Sequence, residues 1–286
     1  MTGVSACLPD ILIEPVVRAA LLEDLGRAGD ITTDAIVPAT LTATAEIVAR
    51  EPGTIAGVRA GELAFRLLDP AMRSDVLAAD GTPVAAGQVV MRLSGSARAL
   101  LSGERVALNL LCRLSGIASA TAQLVAAVEG HGATITCTRK TTPGLRALEK
   151  AAVRAGGGAN HRFGLDDAVL IKDNHIALAG GVATAVERAR CCVGHLVKIE
   201  VEVDTLEQLA EAMSVSPDAV LLDNMTPAQL RDAVALVDGR AITEASGRIT
   251  PATAPAIAAT GVDIISVGWL THSARSLDLA LDIAAG

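Results

Sequence analysis

The stretch Ala219-Val220-Leu221-Leu222-Asp223-Asn224-Met225-Thr226-Pro227-Ala228-Gln229-Leu230 decides the fold. Four apolar residues read as a buried strand, and an acidic-polar pair ends it. Thr226 then stands as a cap before Pro227 at the first helical position, and a helical pattern follows to Val237. The unit recurs on both sides. Strand patterns fall at residues 133–137, 168–172, 196–203, 219–222, 241–243 and 264–267. Helical patterns fit between them at 144–155, 182–191, 205–212, 227–237 and 251–260, the last behind a second cap-proline pair, Thr250-Pro251. Repeated strand-helix units make parallel strands, and six in a row predict a β/α barrel, with a doubly wound open sheet as the alternative.

Upstream the elements are mixed. A helix is expected over 11–25, then Gly26 and a turn-rich stretch to Pro38. A strand at 42–50 and a helix at 56–68 follow. Two short strands at 75–79 and 88–93 flank the turn signal Asp80-Gly81. A long apolar-periodic segment, 97–129, reads as one helix or two, interrupted near Ser115-Gly116. The fold class expected is α/β: an N-terminal α/β sandwich over 1–115 and an incomplete TIM-like β/α barrel over 116–269.

Composition agrees. Half of the 286 residues are hydrophobic (51%) but only 1% are aromatic, so the core must be built of Ala, Val, Leu and Ile, as helices on parallel strands allow. The mean hydropathy of +0.45 raises the question of a membrane. The most apolar run, 255–270, is broken by Asp263 short of the ~18 residues a span needs, so no membrane is expected. The start Met1-Thr2-Gly3-Val4 lacks a basic leader. Cys7, Cys112, Cys137, Cys191 and Cys192 have no metal-ligand spacing and read as reduced thiols of a cytoplasmic protein. A net charge of −8 argues against nucleic acid. Yet residues 139–173 carry a net +3, which leaves −11 for the rest and suits a device that holds a small anion. Within that stretch Arg146, Lys150 and Arg154, spaced i, i+4, i+8, read as a solvated helix face.

In a β/α barrel, chemistry sits at the C-terminal strand ends. Here those ends carry Thr138-Arg139-Lys140, Lys172-Asp173-Asn174-His175, Glu200 with Glu202, Asp223-Asn224, Glu244-Ala245-Ser246-Gly247-Arg248, and Gly268-Trp269. Glu200 and Glu202 share one face of their strand. Buried carboxylates need a cation, so they pair with Lys172 or Arg139, or else bind magnesium or a ribose hydroxyl beside Asp223. Only four lysines stand against twenty arginines, and two of them, Lys140 and Lys172, fall at strand ends. Ser246-Gly247 and Gly268 suit backbone donation to a phosphate.

The runs 138–146, 156–165 and 170–175, followed by Glu200-Val201-Glu202-Val203, 221–225, 244–247 and 270–273, resemble the quinolinate phosphoribosyltransferases. Glu23-Asp24-Leu25, 29–33 and Gly103-Glu104-Arg105 fit upstream, so the match spans nearly the whole chain in order. The resemblance implies that quinolinate and phosphoribosyl pyrophosphate give nicotinate mononucleotide, pyrophosphate and carbon dioxide, with Mg²⁺ and no organic cofactor. It implies a sandwich domain closed by a C-terminal helix at about 270–286, and a homodimer with shared sites. It places Arg139, His161, Arg162 and Lys172 around quinolinate with Thr138, and Arg105 lent by the other subunit. It gives Lys140, Glu202 and Asp223 to the phosphoribosyl donor and its metal, Glu202 and Asp223 being the metal ligands. Lys140, Lys172, Glu202 and Asp223 are thereby the catalytic set. Ser246, Gly247, Arg248 and the loop Gly268-Trp269 fall to the 5′-phosphate.

Two departures matter. Arg248 stands where the family has a second glycine, which leaves the detailed role of that loop open. Cys137 precedes Thr138-Arg139-Lys140, as in a related family linked to molybdenum transport, but the Thr141-Thr142-Pro143-Gly144-Leu145-Arg146 continuation and the Lys172-Asp173-Asn174-His175 run are intact. Two further readings stay open on the residues alone: a Schiff-base lyase using Lys172 or Lys140, and a non-catalytic anion-binding module.

Overall fold

The structure is a computed structural model that describes residues 8–284; Cys7 and the first four residues lie outside them. The chain runs through α1 (Asp10–Leu25), α2 (Ile31–Ile36), β1 (Thr42–Ala49), β2 (Gly53–Thr54), α3 (Val58–Arg66), β3 (Arg73–Val76), β4 (Pro83–Val84), β5 (Val89–Ser96) and α4 (Ala97–Ala127). Next come β6 (Thr134–Thr136), α5 (Arg146–Ala155), β7 (Val169–Ile171), α6 (Asp173–Ala179), α7 (Val182–Cys192), β8 (Ile199–Val203) and α8 (Leu206–Ser214). The last are β9 (Ala219–Asp223), α9 (Pro227–Val237), β10 (Ile242–Ser246), α10 (Ala254–Ala258), β11 (Ile264–Ser266), α11 (Trp269–His272) and β12 (Leu279–Ala284). They divide into two compact units. One holds the chain up to Ala122, Thr141–Gly157 and the residues from Leu270 on; the other holds Gln123–Lys140 and Gly158–Trp269.

The first unit is built on an antiparallel sheet ordered β12-β1-β5-β3. Ala45, Ile47 and Ala49 alternate inward along β1 and are buried, as the period of two requires. Helix α1 buries Ile13, Val17 and Leu21, one stripe at four-residue spacing. Helix α4 is continuous, which corrects the expected break at Ser115-Gly116. The glycine serves contact, not interruption. A Cβ on Gly116 would stand 2.1 Å from the Arg275 carbonyl oxygen, so only glycine lets the returning chain lie against the helix. Leu277 N–H then donates to the Cys112 carbonyl at 2.9 Å. Helix α4 is also long and apolar enough to cross a membrane, which the composition reading overlooked, and half of its most apolar window is buried inside the protein. Leu100, Leu111, Leu114, Ile117 and Leu124 on it are wholly buried, so its apolar character serves the core.

Two further expectations need correction in this unit. Among the described residues no helix covers the stretch from 270 on: beyond α11 the chain forms β12, whose Leu279–Ala284 ladder pairs with Ala49–Thr44 of β1. Leu279, Leu281 and Ile283 alternate with Ala280 and Asp282, a period-two signal that wins over helical reading. Lys150 does not lie on a solvated face, because it is only 2% exposed. Its neighbour Glu149 is fully buried, takes Arg113 Nη2 at 3.0 Å, and accepts the Thr142 N–H at 3.0 Å. Arg113 in turn donates to the carbonyls of Ala274 and Thr271, which ties the returning chain to α4.

The second unit carries six parallel strands ordered β6-β11-β10-β9-β8-β7, an incomplete TIM-like barrel. No ladder joins β6 to β7 among the described residues. On the open edge of β6 the chain near Ala159 makes one parallel bridge to Thr136. Helix α9 starts as expected: Thr226 accepts the Gln229 N–H, and the Gln229 side chain returns to Thr226. Thr250-Pro251 does not start a helix. Thr250 and Thr253 exchange hydroxyl and backbone hydrogen bonds in a turn, and α10 begins at Ala254. Strand β10 runs on to Ser246, past its expected end at Thr243, so Glu244 sits inside the sheet. Helix α6 was not foreseen; its first turn is the Asp173-Asn174-His175 run itself, with Lys172 N–H donated to His175 Nδ1 at 3.0 Å.

Gly116→Ala tests the packing of the returning chain. Overpacking against backbone cannot relax easily, so the variant should lose roughly 1–3 kcal/mol of stability. Urea unfolding of both proteins measures this, and an unchanged midpoint contradicts the packing argument.

Candidate active site

Parallel strands put all their C-terminal ends on one edge, and polar residues gather there. Thr138, Arg139 and Lys140 follow β6, and Lys172 follows β7. Glu202 is the fourth residue of β8, Asp223 ends β9, Glu244 and Ser246 lie on β10, and Ser266 ends β11. With His161 and Arg162, these residues line one cavity of about 430 Å³, to which Leu170 and Leu221 add apolar surface. Nine residues singled out in the sequence are thus brought together. Gly247 and Arg248 line a second cavity of about 490 Å³ with Asn224 and Met225. Gly268 and Trp269 line neither. Arg105 lies on α4 in the other compact unit, 65% exposed, 3.7 Å from Glu104.

Glu244 and Ser266 were the residues that the sequence reading did not assign. The signal was present for Glu244: it stands two positions before Ser246, hence on the same face of a strand taken to end too soon.

Two cations of the first cavity, Lys172 and Arg162, are oriented by separate partners. Lys172 Nζ forms an ion pair with Glu202 Oε2. Glu202 thus takes the lysine, as one of the two sequence-based alternatives for the buried carboxylates required, while Val201 and Val203 face the opposite, buried side. Arg162 Nη1 donates to the Ala168 carbonyl at 3.0 Å. Burial first, and then the charge of Arg139, push the Arg162 guanidinium below its ordinary value; Asp167 and Glu200 oppose them. Asp167 shapes the loop after Arg162 by accepting the Phe163 N–H at 2.6 Å and the Gly164 N–H at 2.9 Å. Burial works against its ionisation, but those two donors hold its carboxyl below the usual range.

His161 is fixed at both ring nitrogens. Nδ1 accepts the Arg162 N–H at 2.8 Å, and Nε2 stands 3.0 Å from Glu200 Oε2 and 3.6 Å from Glu244 Oε2. Asp223 Oδ2 accepts Asn224 Nδ2 at 2.6 Å. Four buried polar atoms around the site have no hydrogen-bond partner: Thr136 Oγ1, Arg162 Nε, Glu244 Oε1 and Ser266 Oγ. Unsatisfied buried donors and acceptors beside a cavity are what a polar ligand site requires.

The second cavity depends on backbone. Gly247 has φ 111°, and a Cβ there would meet Asn224 Oδ1 at 2.3 Å. Asn224 (φ 53°) donates its N–H to the Ser246 carbonyl at 2.9 Å, which locks the two strand ends together. Trp269 Nε1 donates to the Ile249 carbonyl at 2.8 Å and pins the loop from its far side. Arg248 takes a left-handed φ of 48°. That conformation is strained for a residue with a Cβ.

The quinolinate phosphoribosyl transferase C-terminal domain matches residues 117–282, and the N-terminal domain of the same name matches residues 30–115. The chain is 48% identical over 275 residues to a carboxylating nicotinate-nucleotide pyrophosphorylase of Mycobacterium leprae, covering 93% of this chain and 95% of that one. It is 39% identical over 297 residues to a decarboxylating quinolinate phosphoribosyltransferase of Nicotiana tabacum, covering 96% and 83%. A solved nicotinate-nucleotide pyrophosphorylase from Francisella tularensis superposes with a TM-score of 0.94 at 37% identity, covering 99% of this chain and all (100%) of that one.

Arg248→Gly tests the strained loop. Relief of the left-handed conformation exceeds the entropy that glycine costs, so the variant should gain about 0.5–1 kcal/mol in stability. Thermal unfolding measures it, and a loss of stability contradicts the strain argument.

Proposed function

This chain belongs to the quinolinate phosphoribosyltransferase family, and on that premise we propose how its own residues carry the family's reaction. The enzyme transfers the phosphoribosyl group of phosphoribosyl pyrophosphate to the ring nitrogen of quinolinate, with decarboxylation, and yields nicotinate mononucleotide, pyrophosphate and carbon dioxide in NAD biosynthesis. It is a pentosyltransferase. The observation that carries the residue assignments is the convergence of Arg139, Arg162 and Lys172 on one cavity that Glu202 and Asp223 also line.

Quinolinate bears two carboxylates on adjacent ring carbons, which repel each other and call for several fixed donors. Arg139, Arg162 and Lys172 supply them, with Thr138 and His161 beside them. Each charge-assisted hydrogen bond contributes about 1.5–3 kcal/mol. Leu170 and Leu221 offer apolar surface to the ring. As the ring nitrogen displaces pyrophosphate at the ribose carbon, positive charge develops on the sugar. Glu202 and Asp223 stabilise it, and Lys140, which is exposed, meets the departing pyrophosphate. After transfer the ring nitrogen is cationic. The bond from the adjacent ring carbon to its carboxylate breaks, carbon dioxide leaves, and the electron pair stays on that carbon until a proton replaces the lost group. The positive ring is itself the electron sink, so no organic cofactor is required.

Mg²⁺ fits the residues present: Glu202 and Asp223 are hard oxygen donors lining one cavity, the donor set that binds magnesium together with phosphate oxygens and water. These two would hold it, and when bound it neutralises the charge of pyrophosphate. Ser246, Gly247 and Arg248 take the 5′-phosphate with the Gly268-Trp269 loop behind them, where backbone N–H groups and one arginine match a dianion. We further place the enzyme in the cytoplasm as a homodimer, with Arg105 of each subunit lent to its partner's site and neither nucleic acid nor membrane as a partner.

Arg139→Ala and Lys172→Ala should each lower turnover by at least about 100-fold with the fold intact. Quinolinate- and Mg²⁺-dependent pyrophosphate release measures it, and parent-like rates in both variants contradict the assignment. Arg105→Ala chains mixed with Lys172→Ala chains should regain up to roughly one quarter of the parent activity, because one of the two sites in a mixed dimer is then whole. Confirmed mixed dimers that remain inactive contradict the sharing.

A further inference from the structure

One group in the cavity wall is not used by the reaction as derived above. Glu244 lies on β10, only 3% exposed, and its Oε1 has no hydrogen-bond partner. Its Oε2 stands 3.6 Å from His161 Nε2, where Glu200 Oε2 already stands at 3.0 Å. Two carboxyl groups therefore share one imidazole nitrogen in a buried place. The hydrogen bonds of His161 decide how its protons are spent. Nδ1 accepts the Arg162 N–H and so carries no proton, which places the ring proton on Nε2. That single N–H serves the nearer acceptor, Glu200. Nothing remains for a second anion, and a bare buried carboxylate is costly.

We infer that Glu244 is a positioning residue held as a neutral carboxylic acid, and that its ionisation weakens the capture of quinolinate. The inference rests on the reading that the cavity takes this dicarboxylate. Neutral Glu244 leaves the cationic field of Arg139, Arg162 and Lys172 intact for a doubly negative ligand. It also leaves the Glu200–His161–Arg162 chain undisturbed, so the Arg162 backbone stays where His161 Nδ1 fixes it. Ionised Glu244 adds a negative charge to the wall of the same cavity and competes with Glu200 for His161.

The surroundings agree with this direction. Burial first, and then the charge of Glu200, push the Glu244 carboxyl up to about 7, while the charge of His161 opposes them. The other charged groups lining the cavity are Arg139 and Lys140 beyond β6, Arg162, Lys172 beyond β7, Glu202 on β8 and Asp223 on β9. The sign follows: the group is neutral below neutrality and becomes an anion as pH rises through about 7. A metal ion is a weaker reading of the trio, although its ligand atoms lie within 4.8 Å of one another. Both ring nitrogens of His161 are already engaged within the protein, and arginine charges line the same cavity.

The test is the KM for quinolinate, at saturating phosphoribosyl pyrophosphate and Mg²⁺, from about pH 6 to about pH 8.5 in the parent enzyme and in Glu244→Gln. In the parent, KM should rise about tenfold over this range while kcat changes less than about twofold. In Glu244→Gln, KM should stay flat, since glutamine is neutral throughout; a purely structural role would not remove a pH dependence. A flat parent KM, or an equal rise in the variant, overturns the inference. Should Glu244→Gln fail to fold, infrared spectra of the parent alone decide. A protonated carboxyl band at about pH 6 that disappears by about pH 8.5 supports the inference, and its absence at the lower pH overturns it. Quinolinate turnover with a flat KM overturns this inference alone, whereas an enzyme that ignores quinolinate at every pH overturns the reaction as well.

Discussion

The site depends on holding like charges close together. Arg139, Arg162 and Lys172 line one cavity, and like charges gathered in one site repel. The protein meets this by giving Lys172 and Arg162 different counterweights. Glu202 pairs with Lys172, and the Ala168 carbonyl takes Arg162 while Asp167 and Glu200 attract it from two sides. None of these partners consumes every donor, and Arg162 Nε is left buried without one. The site is therefore electrostatically incomplete in a defined way: it is short of negative charge where a dicarboxylate belongs.

The barrel supplies the geometry for that arrangement. Six parallel strands bring six chain segments to a single edge, so residues more than a hundred positions apart in the sequence, such as Thr138 and Ser266, share one wall. The same sheet supplies the anions. Glu200, Glu202 and Glu244 all rise from strands; ladders fix the backbones of Glu200 and Glu244 on both sides and that of Glu202 on the β9 side. Rigid strands hold the negative groups; Arg139 and Lys172 follow strand ends, and Arg162 lies in the loop between α5 and β7. A division of labour of this kind keeps the charge balance constant while the ligand-facing side chains adapt.

Much of this was legible in the letters. The β/α alternation from residue 133 on, the cap at Thr226-Pro227 and the polar strand ends were read correctly because each has a local cause: apolar runs, capping chemistry and the rule that places chemistry at one barrel edge. The misreadings have causes as well. Gly116 read as a helix break because a sequence shows what glycine permits but not what lies against it. The tail after Leu270 was expected to be a helix from the family resemblance, although its alternation said strand, and only pairing with β1 decides between them. Lys150 looked solvated at helical spacing, since burial of a charge depends on neighbours far away in the chain. Strand β10 was ended too early, so Glu244 was read as part of the polar run beyond the strand and given no role of its own.

The central claim is that the cavity is built to take two adjacent carboxylates between Arg139, Arg162 and Lys172. A crystal structure of the enzyme soaked with quinolinate tests it most directly. Both ligand carboxylates should lie within hydrogen-bonding distance of these three side chains, with the ring nitrogen directed toward Asp223. Quinolinate bound elsewhere, or with its carboxylates turned away from the three cations, contradicts it.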